Sequence, residues 1–81
     1  MLVEKENLKN YMQEISCLLK NNAKKAKLDA DNPKKGEADY NTGYLMAYHE
    51  VIAIMKNQAP FFDLEQKDIG LADVVPERDL L

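Results

Sequence analysis

Eighty-one residues with a formal net charge of −3, 46% of them hydrophobic and 31% charged, set the limit at one domain, residues 1–81. The single cysteine, Cys17, excludes an intramolecular disulfide, and with a single histidine a His/Cys zinc site of ordinary spacing cannot be built. A core this small is marginal on its own, so self-association is the remaining means of stabilisation.

The apolar content is too high for a disordered chain. The opening "MLVEKENLKNYMQEIS" contains acids and no apolar block of signal-peptide length. No run reaches the roughly 18–20 apolar residues that span a membrane. A cytoplasmic protein is expected.

A first helix is expected over about 4–31. Residues 7–30 hold no glycine and no proline. Leu8, Tyr11, Met12, Ile15, Leu19, Asn22, Ala23 and Ala26 recur at steps of three and four and form one stripe. Asn10, Gln13, Glu14, Asn21 and Lys24 make the solvated side. The stretch "DNPKKG", 31–36, breaks it, because Asn-Pro favours a turn and the residue before proline avoids the helical region.

A second helix is expected over about 37–59, with Glu37 and Asp39 suiting the positive end of its dipole and Pro60 ending or kinking it. The short connection makes the pair an antiparallel hairpin. Asp63 followed by Gln66 resembles a capping box, and Gly70 with Leu71 reads as a helix terminus. These frame a short third helix at about 64–69. The tail, 70–81, is read as extended, with a final turn after Pro76. Val74, Val75, Leu80 and Leu81 hold it on the protein.

"GYLMAYHEVIAIM", 43–55, concentrates the apolar residues of the second helix. On a helical wheel Tyr40, Tyr44, Ala47, Val51, Ile54, Met55, Gln58 and Phe62 share one face, expected to pack on the first helix. Leu45, Tyr48, Ile52 and Ala59 widen the apolar arc to about 200°, twice what a one-sided helix needs. One neighbouring helix cannot cover that arc, and the third helix and the tail can cover some of it. The simplest full solution is a second copy of the hairpin, giving an all-α homodimeric four-helix bundle with Leu45, Tyr48, Ile52, Met55 and Ala59 at the dimer or partner interface.

His49 and Glu50 are adjacent and so point about 100° apart, which excludes a dyad acting on one atom. No H-E-x-x-H or Glu-x-x-His spacing is present. Ser16, Thr42 and Cys17 have no base beside them in the pattern, and the glycines, at 36, 43 and 70, form no phosphate loop. No catalytic, metal or cofactor residue is therefore assigned.

Tyr40, Tyr44 and Tyr48 form a ladder at four-residue steps. With His49 and Glu50 they could line a small-ligand or metal site, Tyr44, His49 and Glu50 facing the ligand. Six lysines between 20 and 35 stand against Asp29 and Asp31, a net +4 over residues 20–36. Such a cluster can touch phosphates, but without arginine or interleaved aromatics it does not point to nucleic acid as a partner. Residues 63–81 carry six acids against Lys67 and Arg78, a net −4, which can pair with that lysine cluster. The leading reading is a non-enzymatic protein–protein interaction or regulatory module that pairs with itself and with another protein. Ligand binding is the second reading and nucleic-acid binding the third.

Overall fold

The computed structural model describes residues 2–81, and it is all-α: α1, Leu2–Asp31; α2, Ala38–Gln58; a 3-10 turn, Ala59–Phe62; and α3, Pro76–Asp79, with no strand among the described residues. The two long helices pack as the expected antiparallel hairpin. Asn32 closes α1, its backbone N–H donating to Leu28 O at 3.0 Å and its side-chain amide to the same carbonyl at 3.2 Å. Asn41 reaches across the connection and donates to Asp29 O at 3.2 Å, tying the start of α2 to the end of α1. Gly36 takes φ +82 in the connection, a left-handed conformation that a side chain would strain.

Pro60 does end α2. The chain continues as one 3-10 turn and stops at Asp63, which sits in the left-handed region at φ 56. Its N–H donates to Pro60 O and that of Leu64 to Ala59 O, the paired bonds that finish a helix. This displaces the expected third helix at 64–69. An N-cap residue needs extended backbone, whereas Asp63 is the left-handed terminator of what precedes it. The Gln66 side chain, expected to complete a capping box, instead donates to Lys56 O at 2.9 Å. Residues 66–70 form turns rather than a helix. Gly70, at φ +75, still closes them as expected, with Leu71 N–H donating to Gln66 O.

The tail is folded, not extended. It runs back along the hairpin from the α2 end toward the connection and finishes in α3, the turn expected after Pro76. Ile69, Leu71, Val74 and Leu80 of the tail are buried against Ala23 and Ala26 of α1 and Leu45, Ile52 and Ala59 of α2. Alanines on α1 leave room for this third layer. Polar contacts follow the same path along α1. Lys9 pairs with Asp68 at 3.6 Å, buried Ser16 donates to Ile69 O, Lys20 pairs with Asp73 at 2.8 Å, and Lys27 donates to Leu81 O at 3.0 Å. On α2, Lys56 donates to Val74 O.

This arrangement corrects the expected faces. Leu45, Ile52 and Ala59 lie in the core of the single chain and are not free to form a dimer interface; Tyr48 and Met55 are partly buried against that core. The face expected to pack on α1, with Tyr40, Tyr44, Val51 and Ile54, is exposed. The stripe on α1 is rotated as well, leaving Leu8 and Tyr11 exposed while Ser16 is buried. The tail supplies the reason: its four apolar side chains need the Leu45–Ile52–Ala59 side, and tyrosines tolerate water because their hydroxyls remain hydrated.

Candidate functional site

The hairpin has two broad sides, and the tail covers one. On α1 the tail partners Lys9, Ser16, Lys20 and Lys27 fall within one narrow arc, and Leu8, Tyr11, Ile15 and Leu19 lie about 60–160° away from that arc. On α2 the core positions Leu45, Ile52 and Ala59 point about 80–180° from Tyr40, Ala47, Val51 and Ile54. The uncovered residues of both helices share one side of the molecule. Leu19 of α1 lines an apolar groove of about 280 Å³ with Tyr44, Ala47, Tyr48 and Val51 of α2. The molecule measures 52 × 20 × 16 Å, so in its thin direction there is no depth for another layer.

The Tyr ladder sits on this open face. The Tyr40 and Tyr44 rings stack with centroids 6.0 Å apart; Tyr44 and Tyr48 are tilted at 5.3 Å, their hydroxyls 3.5 Å apart. That hydroxyl contact raises the Tyr44 pKa above its ordinary 10.0, so Tyr44 is a neutral hydrogen-bonding group. Where the ladder meets the connection, a second cleft of about 280 Å³ opens between Asn22, Lys25 and Asp29 of α1 and Tyr40, Asn41 and Tyr44 of α2.

The structure does not bring Tyr44, His49 and Glu50 together. His49 projects about 140° from Tyr44 around α2, and Glu50 about 120° the other way. Neither lines the groove or the cleft. His49 is half-buried, and its Nε2 has no hydrogen-bond partner among the described residues. Glu50 is exposed. Two of the lysines are engaged, Lys20 with Asp73 and Lys27 with Asp31 and the Leu81 oxygen; Lys24, Lys25, Lys34 and Lys35 are exposed. Cys17 is exposed beside Asn21. No helix among the described residues is long and apolar enough to cross a membrane.

Ser16 is the structural residue the pattern concealed. A serine off the apolar stripe, in line with Lys9, Lys20 and Lys27, carries no periodic signal of burial, and its partner, the Ile69 carbonyl, lies 53 positions away.

Comparison with family models, with curated proteins and with solved structures finds no match.

Proposed function

We propose that this chain is a non-enzymatic interaction module that works as a homodimer in the cytoplasm, its open face forming the contact in a four-helix bundle. The observation that carries the reading is the set Leu8, Tyr11, Tyr40, Tyr44, Val51 and Ile54, each 43–70% exposed on one side of the hairpin. At typical side-chain areas these six present roughly 600 Å², at or above the largest apolar patch of an ordinary monomer. Two such faces together would bury about 1,200 Å², the lower bound of a specific interface.

The whole surface supports the same reading. It measures 6154 Å². A compact monomer of this mass exposes only about 5,000 Å². The excess is what a partner would cover. Pairing would also complete the bundle: a two-helix layer with one side covered becomes four helices around a shared apolar centre.

Val51→Asp tests this reading. Val51 lies mid-face and is exposed, so the helical circular dichroism of a dilute sample should be unchanged while sedimentation equilibrium shows self-association lost. If Val51→Asp associates as strongly as the parent chain, the open face is not the contact.

A further inference from the structure

We draw no further inference here: the strongest candidate, the polar cleft of about 280 Å³ between the end of α1 and the start of α2, is lined by the exposed side chains of Asn22, Lys25, Asp29, Tyr40 and Tyr44, and nothing in the structure shows what would occupy it.

Discussion

Ile52 and Ile54 are the same residue type two positions apart on α2, and the structure gives them opposite roles. Ile52 is 0% exposed, within the cluster that joins α1, α2 and the tail. Ile52→Ala removes three buried carbons and leaves a void that a small core closes poorly, a cost of about 2–5 kcal/mol. The entire stability of an 81-residue chain is about 4–12 kcal/mol. The melting midpoint should therefore fall by roughly 8–40 °C, at about 4–8 °C per kcal/mol for a domain of this size. Ile54 is 52% exposed on the open face. Ile54→Ala should change the stability of the monomer by no more than about 0.5 kcal/mol while weakening self-association. Urea unfolding of both variants, at a concentration where light scattering shows monomer, separates the effects. Equal destabilisation by the two substitutions would refute the assignment of faces, as would an unaffected Ile52→Ala.

Three further outcomes are expected. Ser16→Ala should cost about 1–3 kcal/mol in urea unfolding, because the buried Ile69 carbonyl loses its donor. Gly70→Ala should cost more than Gly36→Ala. Both need left-handed backbone, worth about 1–3 kcal/mol against a side chain. At Gly70, however, the added Cβ would also meet Ser16 Cβ at 3.2 Å, whereas at Gly36 it meets nothing within 4 Å. Stability should also fall in acid. Asp73 is held below the ordinary carboxylate value of 3.8 by its bond to Lys20, Asp68 by the Glu65 N–H and then Lys9, and Asp79 is lowered to about 2 by Arg78 and the Val75 N–H. Each ionises more readily folded than unfolded, so its contribution is present above about pH 4 and is lost as pH drops toward 2. Melting temperatures between pH 5 and pH 2 should show a modest decline, since these pairs are solvent-screened, and Asp73→Asn should reduce it.

The two long helices, the Asn-Pro connection, the stop at Pro60 and the left-handed Gly70 were legible because each rests on local chemistry: propensity, a missing N–H, or a positive φ. The width of the apolar arc on α2 was legible too, and with it the need for more than the first helix to cover it. Which part of that arc the tail takes was not. Tyr44 and Ile52 are both apolar on a wheel, and the choice between them is made by Ile69, Leu71, Val74 and Leu80 arriving from the tail. Those four sit in turn and irregular segments outside any helix, with no period to announce a packed face. Asp63 misled for a related reason. As a cap it would start a helix, yet the 3-10 turn before it needs a left-handed terminator, and that demand prevails. The Tyr44–His49–Glu50 grouping failed on helical angle once Tyr44 was placed on the open face and His49 on the side toward the core.

The most direct measurement of the central claim is absolute mass by light scattering across a dilution series of the unaltered chain. A species at twice 9.3 kDa that dissociates only on dilution, with dissociation promoted by Ile54→Ala, is the expected result. A folded monomer that persists at high concentration would contradict the claim and leave the open face without a second copy to cover it.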